Sequence, residues 1–209
     1  MRRATCALPG GLGAASILSC AFFAAISGSS MVTLLAVGSI LYPALLNEGY
    51  DKKYALGAIT SAGTLGVIIP PSIPLIVYGI ITETSITDLF LAGLIPGLLL
   101  TAVLLTYSLI RNRHLPKTKF DARAFFSAIR DGIWSLLMPV ILLGGIYSGY
   151  FTATESAAVA LAYAMFVEFV IYREMTLHKL AATVVETSQL LGTLVPIIAI
   201  AMSLNILLT

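Results

Sequence analysis

Five long stretches of this sequence carry no aspartate, glutamate, lysine or arginine: residues 14–46, 54–82, 89–110, 132–154 and 187–209. An apolar run of about 18 residues or more is long enough to cross a bilayer as a helix. Charged residues make up 11% of the chain, against roughly 25% in an ordinary globular domain. A soluble fold of this length could not cover so much apolar surface. The sequence therefore predicts an all-α integral membrane protein.

The basic residues between positions 111 and 130 predict which way the helices run. This segment carries six basic residues against one Asp121: Arg111, Arg113, Lys117, Lys119, Arg123 and Arg130. Short loops rich in lysine and arginine stay in the cytoplasm. We therefore expect 89–110 and 54–80 to cross the membrane before this loop, which returns Lys52 and Lys53 to the cytoplasmic side.

The rest of the chain is predicted to keep crossing the membrane in alternating directions. Residues 121–134 have apolar and basic residues at helical spacing, which is typical of an amphipathic helix lying in the membrane interface. Three further crossings are expected, at 135–150, 154–171 and 180–208. Thr152 and Glu155 have the spacing of a helix capping box, a structural role at the start of the 154–171 helix.

Residues 11–46 are charge-free but are interrupted near their middle by Ser27-Gly28-Ser29-Ser30. Each arm then has about 14 residues and a length of about 20 Å, too short for a hydrocarbon core of about 30 Å. Arg2, Arg3, Lys52 and Lys53 place both ends on the same side. We predict a re-entrant hairpin that opens to the cytoplasm, with its tip near the midplane. A single kinked span is the alternative.

The four residues of this tip, Ser27 to Ser30, are small, and three of them carry hydroxyl groups. An unwound point of this kind exposes backbone carbonyls and hydroxyls, which are hard oxygen ligands suited to Na⁺. The neighbouring helix ends add partial charges. Tight helix packing through small residues explains the same pattern equally well.

The second unusual segment, Gly63 to Pro74, lies in the middle of a predicted crossing and contains Pro70, Pro71 and Pro74. Prolines have no amide proton, so carbonyls one turn upstream lose their helix partners, and Gly66 loosens the same turn. Unsatisfied backbone at membrane depth is tolerated only against protein or a water-filled cavity. Broken helices are pointers to transporter binding sites, which we favour over a simple kink.

Other chemistries have less support. An intramembrane nucleophile at Ser29 or Ser30 would need a base within reach, but His114 and His178 lie in predicted loops. The two cysteines and two histidines have no zinc-site spacing. No phosphate-cradling motif and no continuous basic face for nucleic acid is present. We therefore do not expect an enzyme or a nucleic-acid-binding protein.

Taken in order, these motifs resemble the large membrane subunit of the tripartite ATP-independent periplasmic (TRAP) transporters. The resemblance is carried by Ala24–Ser30, Gly38-Ser39, Pro43, Gly49-Tyr50-Asp51, Gly63–Pro74 and Gly144–Ala158. The last of these resembles the start of the family's second, inverted repeat, although Ala153 stands where the family usually has proline. The resemblance covers essentially all 209 residues.

The resemblance implies an inverted-repeat transporter fold, here only in part. Residues 1–110 would hold the first-repeat portion, 111–134 the cytoplasmic loop and interfacial helix, and 135–209 a truncated second repeat. The family begins with further helices and ends with a second hairpin and broken helix. We therefore expect a piece of a permease that inserts into membranes but does not transport alone.

The resemblance also implies a function for the intact protein in the bacterial inner membrane. It would be a permease for Na⁺-coupled uptake of a small organic acid, such as a C4-dicarboxylate or sialic acid. A periplasmic binding protein would deliver the acid, a small membrane subunit would brace the scaffold, and Na⁺ would be the coupling ion, with no other cofactor. Another inverted-repeat transporter without a binding protein, or a non-functional remnant, are the alternatives.

Under this interpretation, the Na⁺ would lie between the hairpin tip and the broken helix. Its ligands would be mainly backbone carbonyls at Gly66, Ile69, Pro71 and the tip, residues Ser27, Gly28, Ser29 and Ser30, with hydroxyls of Ser27, Ser30 or Thr64 as additions. The substrate-binding residues are not predicted from this sequence.

Overall fold

The computed structural model describes residues 11–114, 122–173 and 175–208, and within these ranges the side chains of 122–131, 190, 194 and 204–208 are outside the description. Regular structure in the described ranges is helical throughout. The helices are α1 (Gly11–Ser27), α2 (Ser30–Asn47), α3 (Lys52–Gly63), α4 (Leu65–Ile68), α5 (Ile73–Thr82), α6 (Ile86–Arg111), α7 (Ala122–Tyr147), α8 (Ala153–Phe166) with a π-helical continuation (Val167–Tyr172), and α9 (Leu177–Leu208).

Within the described ranges, five helical segments are long and apolar enough to cross a membrane: Ser30–Asn47, Lys52–Thr82, Ile86–Arg111, Ala153–Tyr172 and Leu177–Ser203. This confirms the prediction of an all-α, multi-pass membrane protein. Helices of membrane length cover the crossings predicted at 54–80, 89–110, 154–171 and 180–208, with ends close to the predicted bounds.

The helices α1 and α2 form a hairpin. Leu12, near the start of α1, and Leu45, near the end of α2, lie in the same buried cluster with Tyr50 and Tyr54. The two outer ends of the hairpin therefore meet, which a single kinked span would not allow. The side of the membrane toward which the hairpin opens stays a prediction.

The arms of the hairpin are longer than predicted. They contain 17 and 18 residues rather than about 14, and so have lengths of about 26 and 27 Å. The predicted arm length was wrong because α1 and α2 are helical almost up to the tip, where only Gly28 and Ser29 are non-helical. Arm length alone therefore does not place the tip at the midplane.

The long helix α6 indicates the depth of the tip. Gly93 and Gly97 lie beside the broken segment that meets the tip, and they are closer to the middle of Ile86–Arg111 than to either end. With a rise of 1.5 Å per residue, Gly97 is about 17 Å from Ile86 and about 21 Å from Arg111. The tip thus lies about halfway along a helix that is long enough to span a bilayer.

The predicted broken helix is present. The helix α3 ends at Gly63, a single turn forms α4, residues 69–72 are non-helical with a cis peptide bond between Pro70 and Pro71, and α5 follows. Ser72 is the residue before α5, and Pro74 lies in the first turn of this helix. Proline is tolerated there because the first amides of a helix have no intrahelical partner.

The start of α3 and the end of α6 lie together, as the predicted topology requires. The Tyr54 hydroxyl donates to the Ser108 hydroxyl over 2.6 Å, and the Asn112 side-chain amide donates to the Ser108 carbonyl over 2.8 Å. Lys52, Lys53 and Arg111 are therefore at one end of the bundle. The hairpin opens at the same end, since the Gly13 amide donates to the Tyr50 hydroxyl over 3.0 Å.

The second half of the chain differs from the prediction in one element. The predicted interfacial helix over 121–134 and the predicted span over 135–150 form one continuous helix, α7, which ends at Tyr147. The apolar and basic residues that predicted the interfacial helix are mostly among those whose side chains are outside the description, as are Arg2, Arg3, Lys117 and Lys119.

The helices α7 and α8 pack against each other around Ser156. Its hydroxyl donates to the Leu142 carbonyl over 2.8 Å, and a Cβ at Gly145 would lie 2.9 Å from the same oxygen atom of Ser156. The capping box at the start of α8 is confirmed: Glu155 and Thr152 each bond the backbone amide of the other. The helix α9 is exposed along its apolar length, with 0% of its membrane-length window buried.

Candidate cation site

The hairpin tip is closed by hydroxyl groups. Gly28 has a φ of +62°, a left-handed conformation that favours glycine. The Ser27 and Thr33 hydroxyls are 2.7 Å apart, and the Thr33 hydroxyl donates to the Ser29 carbonyl over 2.8 Å. Thr33 is fully buried. The Ser29 carbonyl also accepts the Thr33 amide over 3.1 Å, so the tip has little freedom to unwind.

The tip lies directly against the break in the second helix. The amide of Ile73 donates to the Gly28 carbonyl over 3.1 Å. A Cβ at Gly28 would lie 2.7 Å from the Pro71 carbonyl oxygen, and a Cβ at Gly66 would lie 2.6 Å from the Ser29 carbonyl oxygen. Both distances are too short for a side chain, so these glycines allow the two backbones to touch.

The break removes the normal helix partners of two carbonyls, and a side chain replaces one of them. The carbonyls of Gly66 and Val67 would bond the amides of residues 70 and 71, but both are prolines. The fully buried Ser72 hydroxyl donates to the Val67 carbonyl in place of the missing amide. Gly66 therefore retains a carbonyl that a cation could use as a ligand.

The helix α6 closes the other side of the break. A Cβ at Gly93 would lie 2.9 Å from the Ile68 carbonyl oxygen, and one at Gly97 would lie 2.9 Å from Cγ1 of Ile69. The buried Thr101 hydroxyl donates back to the Gly97 carbonyl over 2.7 Å. Small residues four apart on α6 thus allow the broken segment to lie close to its backbone.

The electrostatics around the tip come from helix ends rather than from charged groups. The α1 C-terminus at Ser27 and the α4 C-terminus at Ile68 bring partial negative charge, and the N-termini of α2 and α5 bring the opposite sign. Among the described residues, no group of three or more histidine, cysteine, aspartate or glutamate side chains could hold a metal ion. A cation bound here would have neutral oxygen ligands, which suits Na⁺ better than a transition metal.

Comparison with known proteins places this architecture in a family. A family model described as "Tripartite ATP-independent periplasmic transporter, DctM component" matches residues 2–209. The chain belongs to this family. The TRAP resemblance drawn from the motifs is therefore confirmed, and this family is one of transporters rather than of enzymes.

Individual relatives support the same assignment. The chain is 45% identical over 196 residues to the C4-dicarboxylate TRAP transporter large permease protein DctM of Pseudomonas aeruginosa, covering 92% of this chain and 46% of that protein. It is 37% identical over 203 residues to the ectoine TRAP transporter large permease protein TeaC of Halomonas elongata, covering 95% and 47%. It is 35% identical over 186 residues to the sialic acid TRAP transporter permease protein SiaT of Haemophilus influenzae, covering 88% and 30%. The chain thus spans about half the length, or less, of these TRAP permeases.

Most of the predicted site residues of this TRAP family member come together. Gly28 meets Pro71, Ser29 and Ser30 meet Gly66, and Ile69 lies against Gly97 of α6. Ser27 contacts the tip itself, through the Thr33 hydroxyl. Thr64 is the exception. It is exposed, and its hydroxyl donates to the Ser61 carbonyl of its own helix over 2.7 Å, so it makes no described contact with the tip.

Four residues around the break were not predicted: Thr33, Ser72, Gly93 and Gly97. The sequence could have indicated two of them. Gly93 and Gly97 form a small-xxx-small pair within an apolar run. Thr33 and Ser72 are isolated hydroxyl residues, and only the fold shows that each satisfies a carbonyl at the break or the tip.

Proposed function

We propose that the protein containing this chain is the large membrane subunit of a Na⁺-coupled transporter that imports a small organic acid across the bacterial inner membrane. A periplasmic binding protein delivers the acid, and a small membrane subunit completes the complex. Membership of a tripartite transporter family supports this proposal over a transporter without a binding protein. A C4-dicarboxylate is the first substrate to test, because the relative at 45% identity is named for it.

The observation that carries the proposal is the contact between the hairpin tip and the break. The non-helical tip meets the broken segment there: Gly28 lies against the backbone of Pro71, and Gly66 of the single turn α4 lies against the backbone of Ser29. The Gly66 carbonyl and the Ser27 hydroxyl are the leading Na⁺ ligands, and carbonyls of Ile69 and Pro71 are available from the non-helical segment. The Gly28 and Ser29 carbonyls are weaker candidates because each already accepts an amide hydrogen bond.

The same contact supports an elevator-like movement. The Ile73 amide bonds the Gly28 carbonyl, so the hairpin and the broken helix are held together and would move as one body. A Na⁺ bound between them would satisfy the Gly66 carbonyl. We propose that this ion stabilises the arrangement in which the substrate binds, which is how the ion and the acid become coupled.

The test is uptake into proteoliposomes. The full reading frame that contains this chain, its small membrane subunit and the neighbouring binding protein are reconstituted with radiolabelled succinate. An inward Na⁺ gradient is compared with an equal K⁺ gradient. Uptake that needs both the Na⁺ gradient and the binding protein is the expected result. Uptake that is equal in K⁺, or independent of the binding protein, would overturn the proposal.

A further inference from the structure

A cavity of about 310 Å³ lies between α3 and α6, away from the tip. Its polar walls are Lys53 and Ser61 of α3 and Tyr107 of α6, and its apolar walls include Ile17 and Leu104. This volume is at the lower end of the range for ligand pockets, roughly 300–1,000 Å³. The cavity therefore suits a headgroup or part of an extended molecule.

The cavity continues as a groove along α3. Lys53, Gly57 and Ser61 are spaced four residues apart and all line it, so they form one stripe of the helix. A Cβ added at Gly57 would meet nothing within 4 Å. Tyr107, which lines the groove, is 57% exposed. The groove is thus open on an apolar side of the bundle.

One end of the groove is basic. Lys53 lies at the start of α3, next to Lys52, and Arg111 lies one turn beyond Tyr107 on α6, followed by Arg113. The contact between Tyr54 and Ser108 brings these two helix ends together. Glu48 and Asp51 are in the turn before α3, and of all these charged residues Lys53 is the one that lines the cavity.

We propose that this groove binds an anionic phospholipid. The headgroup phosphate contacts Lys53 at the basic end, and one acyl chain extends over Gly57 toward Leu104. A basic pocket between membrane helices at the cytoplasmic surface has the charge and position to bind acidic headgroups, while the apolar length of the groove suits an acyl chain rather than a soluble acid. The bound lipid would link α3 of the broken helix to α6.

The test is lipid titration of the purified 209-residue chain in detergent, followed by native mass spectrometry. Phosphatidylglycerol is compared with phosphatidylcholine. We expect phosphatidylglycerol to bind more tightly. Lys53→Gln should weaken its binding roughly fivefold, the effect of one basic residue at an anionic headgroup, and Lys53→Arg should restore it. Lys52→Gln is the matched control and should change binding by less than about twofold, because Lys52 contributes only a screened surface charge.

A second variant tests the groove independently of charge. Gly57→Leu should fill the open space and weaken phosphatidylglycerol binding, whereas Gly57→Ala should leave it nearly unchanged; thermal unfolding of each variant checks that the fold is retained. Equal binding of the two lipids, or no effect of Lys53→Gln in a folded protein, would overturn the proposal. Displacement of the lipid by millimolar succinate would overturn it too, because the groove would then belong to a soluble acid.

Discussion

The two ends of the hairpin are both held by close contacts at a glycine, but by different atoms. At the tip, Gly66 meets the backbone of Ser29. At the open end, Gly13 meets the side-chain oxygens of Tyr54 and Ser108, at 2.7 and 2.8 Å from an added Cβ. Backbone cannot move without disturbing its own hydrogen bonds, whereas a side-chain end can turn away. The tip is therefore the more rigid end, and it is also the end where a cation could bind.

The open end is a side-chain network. Tyr50 and Tyr54 stack with ring centroids 5.7 Å apart, and Tyr54 stacks on Tyr107 at 6.4 Å. Burial raises the pKa of Tyr50, in the turn before α3, and its hydroxyl accepts the Gly13 amide. This network anchors the hairpin to α6 through hydroxyl groups and stacked rings. We conclude that it is structural.

The largest expected effect is at Gly66. Gly66→Ala should destabilise the protein by about 1–3 kcal/mol, because the new Cβ would lie 2.6 Å from a backbone oxygen. It should also remove any Na⁺ response. Thermal unfolding in detergent, with and without Na⁺, measures both effects. Gly57→Ala is the matched control and should not destabilise. A stable Gly66→Ala protein with a normal Na⁺ response would contradict the proposal that the tip is the more rigid end and the one that binds a cation.

Removing a hydroxyl group at the tip should lower the stability less than Gly66→Ala does. Thr33→Val keeps the shape but loses the hydrogen bond to the Ser29 carbonyl, and the Ser27 hydroxyl loses a buried partner. We expect a loss of about 1–2 kcal/mol and a weaker response to Na⁺, both largely restored in Thr33→Ser. If Thr33→Ser were as unstable as Thr33→Val, the methyl group and not the hydroxyl would be the important contact.

Gly13→Ala tests the open end with the same substitution as Gly66→Ala. The atoms in the way are the ends of the Tyr54 and Ser108 side chains, so we expect a loss of about 1 kcal/mol. The Na⁺ response should be unchanged. A loss larger than that of Gly66→Ala would reverse the ranking of the two ends.

The smallest expected effect is from Tyr54→Phe. This variant removes one hydroxyl bond to Ser108 but keeps the stacked rings, which should cost about 0.5–1.5 kcal/mol. Thermal unfolding should show this shift without any change in the dependence on Na⁺. A changed Na⁺ response would mean that the two ends of the hairpin are coupled.

The sequence predicts the hairpin tip but not the side-chain network at the open end, and the reason is physical. Glycine and proline act through the backbone, so Gly28 and the prolines at 70 and 71 indicate breaks in the helices without knowledge of the fold. Tyr54, Ser108 and Asn112 make contact only after α3 and α6 have packed. Nothing in their local sequence separates them from lipid-facing or packing residues.

The wrong arm length and the placement of Thr64 away from the tip have similar causes. The arms of the hairpin were predicted too short because small and hydroxylated residues at 27 and 30 were taken as unwound, whereas α1 includes Ser27 and α2 begins at Ser30. Thr64 was predicted as a ligand because it adjoins Gly66 in sequence. In the structure its side chain is exposed and bonds its own helix, since neighbours on a helix face different directions.

The central claim is that the tip and the break together bind Na⁺, and its most direct test is thermal unfolding of the purified chain in NaCl against KCl at equal ionic strength. A ligand at a hundredfold excess over its dissociation constant stabilises by about 2.7 kcal/mol, which corresponds to a rise in the unfolding midpoint on the order of 5 °C. We predict such a rise in Na⁺, its absence in K⁺, and its loss in Gly66→Ala but not in Gly13→Ala. Equal midpoints in the two salts for the unmodified chain would contradict the claim.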